Sequence, residues 1–450
     1  MKRLLLFILL LVTCFGFSNT VLLEKAPSEM VSLLLVEDIK NNYSRLKETV
    51  LADFFLNQMA LEQTFAQVIE MNAYSNDINP DEVYALFDGG LLAATWNDEK
   101  GNERMIIVIG PIDNAADVKA SFEKVFTQAI QSDLPETKVQ NNFIYIGDID
   151  AYASVEKGIS ESRLKSDLPE GFSYIYMDRE DFLVQGSVWY ENTRLKGKIY
   201  MTPLNNEAKE TVKEIIGSES TVLFEKEKHL SFASVIANVE DISQLESVIQ
   251  GEVNQNDDAS ENTILSTGID TEAMKSLSGK FTGELLIDMD LAIESVLSSL
   301  MSSQSGSGQD MMNQATENAT GFDIVSKIGF SGNMNDVERA LELSEEKFEY
   351  TSDGVIVDDM HIWVYDGWLY TSTKSRDKTL EQISKGKPLS EYGFYDELVQ
   401  KVPEKRFLLF FVNAGHIISS ITGNEVESGL LFSLWYSNEF ERIEGLFLLK

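Results

Sequence analysis

A chain of 450 residues with 43% apolar and 10% aromatic content can bury the cores of two or three domains and is too hydrophobic to be disordered. Its 73 acids against 37 bases leave a formal net charge of −36, which repels phosphate backbones and anionic lipid headgroups and makes both poor partners, so no nucleic-acid partner is expected. The single cysteine, Cys14, lies close to the N-terminus, so disulfides, thiol chemistry and cysteine-held metals are excluded from the rest of the chain.

At the N-terminus Lys2 and Arg3 precede the apolar run Leu4 to Thr13, which is too short to span a bilayer, and Gly16-Phe17-Ser18 supplies small residues for a signal peptidase. The expectation is a signal peptide over 1–18, cleavage after Ser18, and an exported chain in the periplasm or at the cell surface. A lipid anchor on Cys14 is the alternative; Thr13 stands where such signals carry a small residue. No later apolar run is long enough for a second membrane span.

After Pro27, Val31 to Val36 is a continuous apolar strand, and Tyr43, Leu46, Val50, Phe54, Leu61, Phe65 and Val68 then keep helical spacing, one long helix or two in series. Leu91 to Trp96 and Arg104 to Ile109 form a hairpin. Ile109-Gly110 closes that strand in a tight turn, and Asn114 with Asp117 three residues on is the capping-box spacing that opens a helix over about 115–130. Phe143 to Ile146 is a strand behind the turn Asn141-Asn142. Pro169 leads the strand Phe172 to Met177, a hairpin joins 186–190 to 194–201, and Asn206 to Ile216 is helical.

The landmarks then return in order. Val36-Glu37-Asp38-Ile39 matches Val239-Glu240-Asp241-Ile242, Ile109-Gly110 with Asn114 and Asp117 matches Ile328-Gly329 with Asn333 and Asp336, and Tyr145 matches Tyr370. Pro169-Glu170 matches Pro403-Glu404, and Trp189-Tyr190 matches Trp435-Tyr436. Offsets that only grow are the mark of a tandem duplication whose second copy holds insertions. Half A spans 27–216 and half B 229–450, with polar, mobile insertions at 251–263 and 302–320. Recurring hairpins between amphipathic helices predict an α+β class, antiparallel or mixed sheets with helices packed on one face.

Chemistry-bearing motifs are sparse. His229, His361 and His416 stand apart, each read as a surface or packed residue, and no zinc spacing, Gly-x-Ser-x-Gly elbow, Walker loop or Gly-x-Gly-x-x-Gly occurs, so no cofactor, metal or catalytic residue is assigned. Ser44 to Lys47, Ser162 to Lys165 and Ser344 to Lys347 are chance Ser-x-x-Lys matches. Asn254-x-Asn256-x-Asp258 resembles the start of a calcium loop but lacks its glycine and its bidentate acid. Asp148-x-Asp150 and Asp288-x-Asp290 are read as helix caps at strand ends. The most suggestive face is His361, Trp363 and Tyr365, which alternation places on one side of a strand ahead of the turn Asp366-Gly367; an open face would stack on a sugar or hold a partner strand, a covered one is core.

With its proline-led strands behind Pro27, Pro169 and Pro403 and its paired Gly110 and Gly329 joints, the chain resembles the uncharacterised exported proteins of bacteria classed as domains of unknown function, commonly duplicated. The resemblance implies export and implies no catalytic residues. The expected function is a non-catalytic binding or structural protein with an unknown protein or small-molecule partner. An exported hydrolase with its site in the cleft between the halves, and a carrier of an apolar ligand, are the alternatives.

Overall fold

Leu33-Leu34-Leu35-Val36 is apolar without alternation, so both faces of the strand that carries it must be covered. The computed structural model, which describes residues 20–58, 60–130, 135–165, 167–216, 225–230, 232–238, 276–291, 322–343 and 347–450, shows this covering. The signal peptide expected over 1–18 with Cys14, the Val239–Ile242 landmark, both polar insertions and Asn254 to Asp258 lie outside the described residues. The chain divides into two units: the first runs to Ala208 and includes Glu439–Lys450, and the second is Lys209–Asn438. Half B, drawn to residue 450, thus runs past the second unit by its terminal strand.

In the first unit, α1 (Thr20–Leu23), β1 (Met30–Val36) and α2 (Ile39–Leu46) are followed by α3 (Val50–Asp53), α4 (Leu61–Ser75) and α5 (Pro80–Tyr84). The long helical pattern is therefore broken. Asn79 caps α5 ahead of Pro80, and Ala60 at φ 56° separates the wide turn Phe54–Gln58 from α4. Then come β2 (Gly90–Asn97), β3 (Glu103–Gly110), α6 (Ala115–Ile130), β4 (Thr137–Gln140), β5 (Phe143–Gly147), α7 (Ile149–Ser154), α8 (Glu161–Lys165), β6 (Ser173–Asp178), β7 (Phe182–Glu191) and β8 (Arg194–Pro203). The helix α9 (Asn206–Ile215) follows. Antiparallel pairing gives the order β4-β5-β3-β2-β1-β6-β7-β8, with the chain's last strand, β18 (Arg442–Leu449), beside β8.

Two apolar layers hold this sheet. On one face Leu33, Leu35, Leu92, Ala94, Trp96, Val108, Phe143, Tyr145, Tyr174 and Tyr176 pack under Leu22 and Leu23 of α1, Ile149 and Tyr152 of α7 and Leu164 of α8. On the other, Val36, Leu91, Ile107, Ile109, Ile144 and Ile146 meet Ile39 of α2 and Val118 and Phe122 of α6. Each fully buried side chain of this size stabilises by about 1.5–3 kcal/mol, so neither layer is dispensable. Helices on one face only is therefore corrected to helices on both.

The second unit holds β9 (Ala233–Asn238), β10 (Phe281–Leu291), β11 (Phe322–Phe330), α10 (Met334–Leu343), β12 (Glu349–Tyr350), β13 (Val355–Val357), β14 (Met360–Tyr365), β15 (Trp368–Ser372), α11 (Arg376–Lys385), α12 (Gly393–Val399), β16 (Leu408–Val412), α13 (Ala414–Thr422) and β17 (Leu430–Ser437). Its antiparallel order is β12-β13-β14-β15-β11-β10-β9-β16-β17. From β14 to β17 this matches the first unit from β4 to β7. Val337, Ala340 and Leu341 of α10 cover Val355, Val357, Ile362 and Leu369 on one face. On the other, Phe394 and Tyr395 of α12 set their rings against Phe411 of β16.

The registers fix which residues correspond. Ile109 lies between Leu91 and Ile144, with Val36 next across, and Ile328 lies between Leu285 and Leu369, with Ala237 next across. Gly110 and Gly329, one residue on, hold the same place for different reasons. At Gly110 φ is 143° and a Cβ would lie 2.8 Å from the Asn142 carbonyl oxygen, whereas at Gly329 it would strike the side-chain tips of Thr282 and Glu284. Val36 corresponds to Ala237 and not to Val239, because strand register and sequence landmark differ by two residues here.

Candidate functional site

Side chains that face each other across antiparallel strands share a sheet face, so the registers define rows. In the second unit one row runs Phe411, Ser234, Asp288, Val325, Ser372, His361 across β16, β9, β10, β11, β15 and β14. The next row holds Leu409, Ile236, Leu286, Lys327, Tyr370 and Trp363. The predicted face of His361, Trp363 and Tyr365 is thus one edge of a wider polar and aromatic surface. The first unit has buried apolar residues at the matching places: Asp290 stands for Trp96, Asp288 for Ala94, Ser234 for Leu33, Lys327 for Val108 and Trp368 for Phe143.

The surface has a buried centre. His229 is 0% exposed, Ser234 1% and Asp288 2%. The Asp288 carboxylate accepts from His229 Nδ1 at 2.9 Å, from Ser234 Oγ at 2.6 Å and from the Leu230 amide at 3.4 Å. Both partners reach the carboxylate, and Ser234 Oγ sits 3.3 Å from the same Nδ1 that faces Asp288. A nucleophilic relay needs the imidazole between the other two groups; here the carboxylate is between them. Reading Asp288-x-Asp290 as a helix cap is corrected, since both residues lie within β10 and Asp288 serves this cluster.

One end of the surface is half open. His416 Nε2 lies 3.9 Å from Asp290 Oδ1, and the two side chains are 31% and 30% exposed. Asn413 fixes His416 by capping α13, its side chain accepting from the His416 amide at 3.1 Å. Tyr392 is near both acids. Burial, with the Asp288 and Asp290 carboxylates close by, pushes its phenol up to about 12, so it stays a hydrogen-bond donor at neutral pH.

At the other end the Asp366-Gly367 turn, with φ of 50° and 79°, closes the predicted hairpin. Trp363 is core, 2% exposed and stacked on Tyr370 at 5.3 Å and 4°. Its indole N–H has no hydrogen-bond partner among the described residues. Tyr365 is 51% exposed with the Arg376 guanidinium 4.9 Å from its ring centre, and His361 is half-buried. Lys327 reaches Glu227 at 2.8 Å and lies 4.1 Å from the Trp368 ring centre. Burial, with Glu227 and Asp366 near, pushes the Tyr370 phenol up to about 12.

The joint residues do structural work, unequally. In the second unit Asn333 Oδ1 accepts from the Asn335 amide and Asp336 Oδ2 from the Asn333 amide at 2.9 Å; the Lys280 ammonium and that amide hold the Asp336 carboxyl below the usual range. In the first unit Asn114 sits at φ 55°, a left-handed conformation that Asn tolerates, and Asp117 donates its amide to the Asn114 carbonyl. Asp148 precedes α7, but its carboxylate accepts from the Met105 amide at 2.9 Å on β3, so it ties helix to strand and does not cap.

Sequence spacing could not find the His229 cluster, because its members are 59 and 54 residues apart from Asp288 and meet only through register. The one available signal was an Asp directly behind the apolar run Leu285-Leu286-Ile287. Among the described residues no three His, Cys, Asp or Glu side chains are grouped to hold a metal ion, and no helix is long and apolar enough to cross a membrane. No family model matches the chain, and neither does any curated protein or solved structure.

Proposed function

We propose that the protein is a non-catalytic exported binding protein built from two copies of one α+β unit, in which the first copy is scaffold and the second carries the ligand-contact face. The common pairing order from β4 to β7 and from β14 to β17 supports the duplication. So do two isolated bridges, Pro27 to Lys157 and His229 to Lys387, at matching places. Export rests on the N-terminal pattern of Lys2, Arg3 and Leu4 to Ser18.

One observation carries the assignment of the face: Asp290, Lys327 and Trp368 stand at positions that the first unit fills with Trp96, Val108 and Phe143. Those three are at most 4% exposed. Exchanging core side chains for polar and half-open ones removes hydrophobic stabilisation, and such departures gather where a chain binds something. The test is native mass spectrometry of the full chain recovered from its exporting cell. A bound small molecule that is lost in Lys327→Ala and Trp368→Ala supports the reading, whereas an adduct unaffected by either, or none at all, sinks it.

A second reading, an exported hydrolase, is favoured by the half-exposed His416 and Asp290 pair, an imidazole beside an acid. It predicts turnover of a small activated ester that vanishes in His416→Ala.

A further inference from the structure

Two units with one pairing order raise a folding problem: β9 and β1 are each the middle strand of a sheet, flanked by strands of the same type. Nothing in backbone hydrogen bonding tells β10 to prefer β9 over β1, because every ladder bond would form equally well. The facing side chains differ at several cross-strand pairs, among them Ser32 with Thr95 against Ala233 with Met289, but one pair alone brings in a buried carboxylate. In the first unit Leu33 faces Ala94, and in the second Ser234 faces Asp288. The next strand outward presents Tyr176 to Leu33 and Phe411 to Ser234, so the surroundings of both pairs are apolar.

From this we infer that the buried Asp288, His229 and Ser234 cluster is a pairing-specificity clamp that keeps each middle strand with its own neighbours, an inference that rests on the duplication proposed above. With β9 in place, the carboxylate has its donors from Ser234 and from His229 and Leu230 just upstream of that strand. With β1 in that place, Asp288 would face Leu33, and the segment before β1 offers Pro27 where the second unit has His229. The carboxylate would be buried without partners. The reverse exchange sets Ser234 against Ala94 and takes the carboxylate acceptor away from both the Ser234 hydroxyl and the buried His229 ring. Both penalties apply only to the wrong pairing, which is how a buried polar group selects a register among isoenergetic backbones. The cluster is too buried to meet a ligand, so this role is separate from that of the half-open ends of the face.

Disulfide trapping in the full chain tests it, in a Cys14→Ser background that leaves no native thiol. Leu34 faces Ala93 and Val235 faces Ile287, so Cys pairs at 34/93 and at 235/287 report the native pairings, and a pair at 34/287 reports exchange. Each protein is unfolded and refolded under reducing conditions, then oxidised, and the bridges are read by peptide mass spectrometry. With the clamp intact the 34/287 bridge is at background; with His229→Leu, Ser234→Leu and Asp288→Ala combined it rises at least tenfold. Asp288→Asn, which keeps the shape and removes the charge, gives a smaller rise and serves if the triple variant does not fold. Folded variants that hold the 34/287 bridge at background overturn the inference, and so does failure of both to fold, which makes the cluster a plain stability requirement. If instead a native pair fails to bridge with the clamp intact, the equivalence of the two units is what fails.

Discussion

Replacing Asp288 by alanine removes the acceptor that His229 and Ser234 share inside the second unit. Hydrogen bonds to a charged group stabilise by about 1.5–3 kcal/mol each, and breaking a buried charged cluster at one member costs about 3–5 kcal/mol because the remaining polar groups keep their desolvation penalty. A loss of about 3–5 kcal/mol is therefore expected, a large share of the stability of one such unit. Hydrogen exchange read peptide by peptide separates the units: protection over β9 and β10 falls by that amount while β1 and β2 are unchanged. Ser234→Ala, which leaves His229 on the carboxylate, costs only about 1–2 kcal/mol. A loss under about 1 kcal/mol for Asp288→Ala would refute the claim that this carboxylate organises the buried centre.

Gly110→Ala forces a side chain into φ 143° against the Asn142 carbonyl and destabilises by more than about 2 kcal/mol, whereas Gly329→Ala meets side chains alone, turning Thr282 to another rotamer and displacing the Glu284 carboxylate, and costs less than the Gly110 change, both read by urea melts. Asp336→Ala breaks the reciprocal cap of α10 and costs about 1 kcal/mol, while Asn114→Gly is nearly neutral because glycine accepts φ 55° freely. Tyr370 and Tyr392, whose phenols are pushed up to about 12, bind their protons more tightly folded than unfolded. Their contribution is complete below pH about 10 and is lost between about 10 and 12, so thermal stability falls across that window and falls less in Tyr392→Phe.

The elements with strong local signals were legible. The apolar run Leu33 to Val36, the turns Asn141-Asn142 and Asp366-Gly367, and the hairpin from Leu91 to Ile109 announce themselves through side chains whose preferences act within a few residues. What was not legible depends on neighbours far away in sequence. Leu34 and Val36 call for a second covering layer as firmly as Leu33 and Leu35 do, but which helices supply it follows from the pairing of β1 with both β2 and β6. The helical run through Phe54 and Leu61 hides the break at Ala60, since alanine carries no sign of a left-handed turn. The face of His361, Trp363 and Tyr365 was found by alternation, yet its depth differs along the strand: Trp363 is enclosed and Tyr365 stands in solvent. Asp288 looked like a cap because the sequence shows an acid near a strand end and cannot show a histidine folded beneath it.

Tryptophan side chains in both units can report where a ligand touches. The chain has five tryptophans: Trp96 and Trp189 in the first unit, Trp363, Trp368 and Trp435 in the second. Each indole N–H gives one resolved amide-region signal in a nitrogen-edited spectrum of the labelled chain. Returning to that chain the small-molecule fraction released from the cell-derived protein should shift Trp363 and Trp368 and leave Trp96 and Trp189 in place; shifts confined to Trp96 or Trp189, or no shift at all, would contradict the assignment of the ligand face to the second unit.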